Sequence, residues 1–600
     1  MLLVLSTGPF FPFIRTSLYY VLERLAMNRS QRPLQNQSHL RKSVHFLGPG
    51  DPDHLHPASI YFLRPGQLLR LLTRQLFSYP ITNDLSDMGS AFTPMPDVAV
   101  EVPTLSNGGI SRDRRVYTIR LRADVCWDTA PPRKVTSHDF LRAIKRLANP
   151  LISSGVLSYF TSTIQGMREH CEAYATEFAG KRPSPQEVAN FQESHDVSGL
   201  LSPDDQTLVI TLKKPAGDFI NLLAMGFVSA VPEEFDYFLP DDERLRRNFI
   251  SSGPYRMRYS SNAKKLLLEP NPLWDHRSDP IRQQYFESIH VHLLSESDVL
   301  ARKKIASAQI DPAWPFTIVS WGEPKESICA FPKNYPGFAL NPYLVFNLRS
   351  PNEAWAVRNL KIRQAIAYAI DKVAIGEIFN RLQGVATTPL HSIIPPGNFG
   401  YRGLNPYPTI DARGDQAKAK QLVRDAGYAD GLCLIAAVRD NPLHLDVMRS
   451  VSRDLQACGI SLTFKTYGQS EYYGRLLMDP ANAKAGLWDI AEVGWTPDWF
   501  GNNGRAVTMQ ILKSNDAHGT TNYGCYSSPI VDAFIDRALE ELDPVRADDL
   551  WHEVDVEVMK DLPIVPILAF ACQCCAARTG TGWGSWIPSH HRWVETASPQ

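Results

Sequence analysis

The chain has 600 residues, 44% hydrophobic and 21% charged, the proportions of a well-packed soluble protein. Lys and Arg total 62 against 63 Asp and Glu, a net charge of -1 with no long basic run, which argues against a nucleic-acid partner because a phosphate backbone demands clustered cations. Its 45 prolines and 36 glycines imply many turns and not a helical bundle, and the length allows about four domains or one large two-lobed protein.

The N-terminus opens on Met1-Leu-Leu-Val-Leu-Ser6, an apolar run with no basic residue before Arg15. A secretory signal wants a positive start, an apolar core and small residues before cleavage. Phe10-Phe-Pro-Phe13 breaks that order, and the run is too short for a bilayer span of about 20 residues. Residues 27–42 are rich in Asn, Gln, Arg and Ser, so 1–42 reads as a disordered leader. No cysteine precedes Cys126, which leaves no N-terminal lipid anchor in the chain as written. Three expectations stay open: export by an unusual route, a biological start elsewhere, or a protein that remains inside.

Folded structure is expected from Ser43-Val-His-Phe-Leu47, a short strand turning at Gly48-Pro-Gly50. Residues 67–77 have helical spacing, and Val116-Tyr-Thr-Ile-Arg-Leu121 alternates like a half-buried strand. Thr136 or Ser137 can cap a helix that puts Phe140, Ile144 and Leu147 on one face. Residues 165–200 are charged and irregular, the pattern of a surface insertion. Strands follow at Thr207-Leu-Val-Ile-Thr-Leu212, after the turn Ser251-Ser-Gly-Pro-Tyr255, and at Leu266-Leu-Leu268. Ile289-His-Val-His-Leu293 alternates too, its two histidines sharing a solvated face. A helix over 360–375 places Ile362, Ile366, Ala369 and Val373 on one stripe. Residues 417–426 and 445–455 read as helices, each leading to a strand. Strand and helix alternate across 340–500, which implies an α/β lobe.

Nine cysteines, an odd number, rule out a fully paired disulfide set. Cys572-Gln-Cys574-Cys575 contains a Cys-x-x-Cys spacing, but a zinc site wants a second such pair and the chain has none. The segment follows Ile564-Val-Pro-Ile-Leu-Ala-Phe570, so a buried strand continuing into small apolar side chains accounts for it. No cofactor is expected.

The α/β lobe ends on Trp488-Asp-Ile-Ala-Glu-Val-Gly-Trp-Thr-Pro-Asp498. An apolar strand carries a Gly-Trp pair and then halts at a proline that holds an aspartate. A carboxylate beside an indole is a seat for a ligand ammonium; a buried strand ending in a capping Asp is the plainer alternative. The segment resembles the Gly-Trp-x-x-Asp element of extracytoplasmic solute-binding protein family 5, the peptide-binding proteins that serve ABC importers. Further segments resemble that family in order. They are Tyr117-Thr-Ile-Arg-Leu121 with Trp127-Asp128 and Val135-Thr-Ser-His-Asp139, then Ser252-Gly-Pro-Tyr255 with Glu269-Pro-Asn-Pro-Leu-Trp274. Phe346-Asn347, Val357-Arg-Asn-Leu-Lys-Ile-Arg-Gln-Ala365 and Tyr368-Ala-Ile-Asp371 look like its most recognisable block, followed by Gly384 and Ile394-Pro-Pro396. Tyr523, Ser528-Pro-Ile-Val-Asp532 and Asp561-Leu-Pro-Ile-Val-Pro566 are similar to its C-terminal elements.

The resemblance implies a large two-lobed α/β protein of the periplasmic-binding-protein type (type II), with an extra inserted domain. One lobe would be discontinuous, 43–319 with 516–600, its insertion spanning about 80–205; the other would be 320–515. A ligand would lie between the lobes, which close by hinge motion. By the same match, Asp498 would take the ligand's terminal ammonium and Trp495 would wall a side chain or pack in the core. Arg363 is a ligand candidate, with a structural salt bridge at the helix start as the alternative. Oligopeptide binders can carry an arginine two residues before the Gly-Trp pair, where it meets a peptide carboxylate; Glu492 here reverses that charge. Leu55-His56-Pro57 stands for the family's Leu-Asp-Pro, and the cleft positions beyond it fall on Tyr61, Phe62 and Leu63. These departures suit a ligand without a free carboxylate, or a more aromatic or cationic one.

Three functions are therefore in play. The first is the substrate-binding component of an ABC transporter: a monomer outside the cytoplasm that captures a peptide or amine-bearing solute for a membrane permease, without chemistry. The second is a soluble enzyme or biosynthetic accessory using the same cleft, in keeping with the poor signal but lacking Gly-x-Ser-x-Gly, His-Glu-x-x-His or a phosphate loop. The third is metal-chelate binding, for which His56, His391 and His444 are the residues to examine, although their spacing carries no signature.

Overall fold

Period-two alternation in Val116–Arg120 and Thr207–Thr211 buries Tyr117, Ile119, Leu208 and Ile210. The two strands pair antiparallel, and Leu200–Asp204 completes a three-stranded sheet. The structure is a computed structural model that describes residues 43–49, 55–59, 63–80, 92–260 without 153, 155 and 241, 265–294 without 285, 316–320, 338–383, 387–468, 471–515 without 500, 520–571, 577–579 and 582–584. The chain divides into two compact units: 1–213 with 220–326 and 574–600, and 214–219 with 327–573. No helix among the described residues is long and apolar enough to cross a membrane.

In the first unit a five-stranded sheet runs Phe316–Ser320, Ser43–Pro49, Ile289–Leu294, Lys265–Pro270, Tyr255–Ser260. Ser43–Pro49 is parallel to both neighbours, and the remaining pairs are antiparallel. Arg74, Asp97, Asp279 and Arg282 form a buried cluster of alternating charge, in which Arg282 reaches Asp97 at 2.8 Å and Asp279 at 3.3 Å. Burial alone would raise the Asp97 pKa, but the Arg282 and Arg74 guanidinia hold it well below the carboxylate range. The helix expected at 67–77 lies at Leu63–Leu72, and Phe77–Ser78 is a short strand. Pro65 sits in its first turn, where a missing N–H costs no hydrogen bond.

The helix Ser137–Arg146 starts as expected, and Asp139 accepts from the Thr136 backbone N–H at 2.9 Å. Residues 165–200 differ from the expected irregular insertion. They hold two helices, Met167–Phe178 and Pro185–Ser194, the second capped by Ser184. His170, Tyr174 and Phe178 recur every four residues and are buried, and the rings of Tyr174 and Phe191 stack at 4.3 Å. Charged residues between these positions masked the helical period.

The second unit is built on a seven-stranded sheet in the order Thr388–Pro389, Leu568–Ala571, Phe338–Phe346, Ile490–Trp495, Leu432–Arg439, Ile460–Tyr467, with Ile564–Pro566 also paired to Phe338–Phe346. The last three strands of that order run parallel, and the helix Pro442–Ala457 provides the crossover between two of them. The single helix expected at 360–375 is two helices, Leu360–Ala369 and Lys372–Gln383. Extended Ile370 stops the first, and Asp371 Oδ1 accepts from the Ala374 N–H at 2.8 Å at the start of the second. Residues 520–571 were expected with the first lobe. They pack in the second unit, because Ile564–Pro566 and Leu568–Ala571 hydrogen-bond to Phe338–Phe346. Cys572, Cys574 and Cys575 lie outside the described residues.

Candidate functional site

Open α/β sheets hold ligands beyond the carboxyl ends of their parallel strands, where the connecting loops diverge. In the second unit Leu432–Arg439 and Ile490–Trp495 are adjacent and parallel, so Arg439 and the loop after Trp495 occupy such ends. Ile490–Trp495 is buried at every position except Gly494, which is half-buried. Its antiparallel neighbour Phe338–Phe346 is irregular between Leu340 and Tyr343. This irregularity brings Asn341 against the Gly-Trp pair: a Cβ on Gly494 would stand 2.5 Å from Asn341 Oδ1. Any side chain at that position would have to displace the Asn341 carboxamide.

Trp495 is buried and donates from Nε1 to the Ala506 carbonyl at 2.7 Å. Trp499 is fully buried and donates from Nε1 to the Asn502 carbonyl at 2.8 Å. Asp498 falls between these two tryptophans in the sequence, half-buried and directly after buried Pro497. Farther along, Arg505 makes a buried two-pronged pair with Asp218, at 2.7 and 2.9 Å. Asn503 donates to Asn398 Oδ1 at 2.7 Å. The segment that carries Asp498 is thus held at four points, Trp495, Trp499, Asn503 and Arg505.

Period two sets Glu492 on the strand face opposite Trp495. Glu492 is fully buried; both its oxygens accept from Arg439 Nη2, at 3.0 and 2.9 Å, and His444 Nδ1 lies 3.0 Å from Oε2. Burial alone would raise its pKa, but Arg439 and then His444 bring it down to about 2. The Tyr472 hydroxyl donates to the Glu492 carbonyl at 2.8 Å. The Arg439 guanidinium lies 5.9 Å from the Tyr472 ring and 5.6 Å from the Tyr473 ring, and the Tyr523 ring is 5.9 Å from that of Tyr473. Burial raises the pKa of all three phenols, which keeps them as neutral hydrogen-bonding groups. A strand end bearing one guanidinium framed by tyrosines can take a polar, partly aromatic ligand.

The other sequence candidates fall in different surroundings. Arg363 is buried and donates to the carbonyls of Val357, Arg358, Asp561 and Leu562, at 2.9, 2.7, 2.7 and 3.1 Å. It ties the start of Leu360–Ala369 to the end of a distant helix through carbonyls, not through a carboxylate. Tyr61 and Phe62 lie outside the described residues, and Leu63 opens the helix Leu63–Leu72 in the first unit. His56 is fully buried in the first unit, where its Nδ1 accepts from the Ala58 N–H at 3.1 Å. His391 is half-buried, its pKa lowered to about 4 by burial and then by Lys372. Among the described residues no group of three or more His, Cys, Asp or Glu could hold a metal ion.

Sequence reasoning missed Arg439, Tyr472, Tyr473 and Tyr523, because they reach the site from three separate segments. One signal was available: Arg439 is the charged terminus of an otherwise apolar strand leading into a helix, the position at which such sheets place ligand contacts.

The family described as bacterial extracellular solute-binding proteins, family 5 Middle, matches residues 93–515. The periplasmic oligopeptide-binding protein OppA of Salmonella typhimurium is 24% identical over 468 residues, 76% of this chain and 77% of that protein. Among solved structures, clavulanic acid biosynthesis oligopeptide binding protein 2 has a TM-score of 0.68 at 23% identity, covering 90% of this chain and 93% of that one. Haemophilus influenzae OppA in complex with the peptide RPPGFSPFR has a TM-score of 0.66 at 17% identity, covering 92% and 98%. These structural likenesses show a shared fold, the two-lobed α/β architecture of periplasmic binding proteins. The family match spans well over half of the sequence, and the chain belongs to the bacterial extracellular solute-binding proteins, family 5.

Proposed function

We propose that this protein is the substrate-binding component of an ABC importer. It captures peptides or related amine-bearing solutes at the carboxyl ends of the parallel strands in its second unit and delivers them to a membrane permease. The relatives named above support a peptide ligand: they are oligopeptide-binding proteins, one of them solved with a peptide bound. The observation that carries the reading is Asp498, a half-buried carboxylate on the loop after the strand end, flanked in sequence by two tryptophans whose indoles are tied to backbone carbonyls. A fixed carboxylate at a strand end makes a strong, charge-assisted bond to an ammonium. The protein works without chemistry, as a monomer outside the cytoplasm.

Glu492 changes the expected ligand preference. Its charge is matched by Arg439, so the pair is net neutral and offers no repulsion to a ligand carboxylate. The expected preference for ligands without a free carboxylate therefore draws no support from Glu492 and rests on the departures at His56 and at Tyr61, Phe62 and Leu63.

Mass spectrometry of the ligand retained after native purification identifies the class, and calorimetry with three forms of one peptide tests the contacts. N-acetylation should remove most of the affinity, whereas C-terminal amidation should change it by no more than about threefold. Equal affinity for acetylated and free-amine peptides would overturn the role of Asp498.

A further inference from the structure

A second site lies within the second unit, away from the strand end that carries Asp498. The helices Lys372–Gln383 and Pro442–Ala457 and the edge strand Ile460–Tyr467 border a cavity of about 600 Å³. That is within the range of small-molecule sites, roughly 300–1,000 Å³. One wall is apolar, made by Ile378, Leu462 and Phe464. Leu462 and Phe464 are only half-buried, so hydrocarbon stays accessible along the strand.

The other wall is strongly cationic. Arg381, Arg449 and Arg453 line it against the single carboxylate of Asp446. Asp446 is already shared: its Oδ2 pairs with Arg381 at 3.2 Å and its Oδ1 with Arg449 at 3.1 Å. Arg453 donates to Ser450 Oγ at a long 3.4 Å, and nearby Asp454 accepts from the Asp371 backbone N–H at 3.0 Å. Guanidinia gathered in this way repel one another unless an anion joins them, and their planar forks match carboxylate and phosphate oxygens.

We propose that this cavity binds a small oxyanion, a carboxylate or phosphate monoester, carried on an apolar body. Its anionic group bridges Arg449 and Arg453, and its hydrocarbon part lies along Leu462 and Phe464. The site is independent of the peptide-binding reading, because none of its residues belongs to the Asp498 loop or the Arg439 cluster.

The test is calorimetric titration of the full chain with phenyl phosphate, inorganic phosphate and phenol. Phenyl phosphate should bind saturably, about tenfold tighter than inorganic phosphate, and phenol should give no saturable signal. The double variant Arg449→Gln/Arg453→Gln should weaken phenyl phosphate by about tenfold or more. Asp446→Asn should tighten it, since it frees two guanidinia from their competing carboxylate; a purely structural role for these residues would not produce that gain. Absence of saturable binding, equal affinity for the two phosphates, or unchanged affinity in both variants would overturn the proposal.

Discussion

Asp498 sits on a short loop between two hydrogen-bonded tryptophans, and asparagine keeps its shape while removing its charge. Asp498→Asn should weaken free-amine peptides by about 2–5 kcal/mol in calorimetry. Glu492 has a different dependence on its surroundings. Its folded pKa of about 2 is below the unfolded value of about 4.3, so the unfolded chain takes up the proton first. Its contribution to stability is therefore complete above that range and is lost as pH falls toward 2. Arg439→Met leaves buried Glu492 with His444 as its remaining partner, which should cost about 3–5 kcal/mol in urea unfolding at neutral pH. Adding Glu492→Gln should recover most of that loss, because the stranded charge is then gone. Asp555 shows the opposite sign. It is fully buried and accepts from the Ile393 N–H at 3.1 Å, and burial pushes its pKa up to about 7 against hydrogen bonds from Ser392, Ile393 and Ile394. The folded chain holds this proton longer than the unfolded chain, so stability falls as pH rises from about 4 to about 7. Melting temperatures at about pH 5 and about pH 8 should differ less for Asp555→Asn than for the wild type. An identical pH dependence in the two proteins would assign the effect elsewhere.

The Gly-Trp strand shows how an element's sequence answers to its neighbour. Gly494 has no intrinsic place in a buried strand, where it weakens pairing; the Asn341 carboxamide, on the irregularly paired strand Phe338–Phe346, fills the space that a larger residue would take. Gly494→Ala should destabilise the protein by about 1–3 kcal/mol in denaturant unfolding. Asn341→Ala in the same chain should relieve part of that loss, and the coupling between the two changes is the measurable quantity. Where periodicity and capping agree, element positions were legible: Ser137–Arg146 lies where its apolar stripe and cap place it, and Gln416–Asp425 lies within one residue of the helix expected at 417–426. Where a break keeps the apolar rhythm, as at Ile370 between Leu360–Ala369 and Lys372–Gln383, periodicity cannot show it. A single extended residue and one aspartate cap make that break. Likewise, Pro442–Ala457 begins earlier than its apolar residues suggest, because Asn441 accepts from the Leu443 N–H at 2.9 Å and Pro442 fits the first turn.

For the whole protein, a ligand that binds only the folded state must raise its stability by mass action. A free-amine peptide at about 100 times its Kd should add about 2.7 kcal/mol to unfolding in urea, and the N-acetylated form should add much less. Order along the chain determined a good deal by itself. It marked most strands, the α/β character of 340–500, the Gly-Trp-x-x-Asp element and the family, because these depend on local period and on spacing within short segments. Which charges meet was decided only in three dimensions. Arg439 and Glu492 are 53 positions apart and Arg505 and Asp218 are 287 apart, so no local pattern predicts either pair. Sheet order and register bring such partners together, and the burial that follows turns Glu492 from an expected ligand contact into the anchor of an arginine.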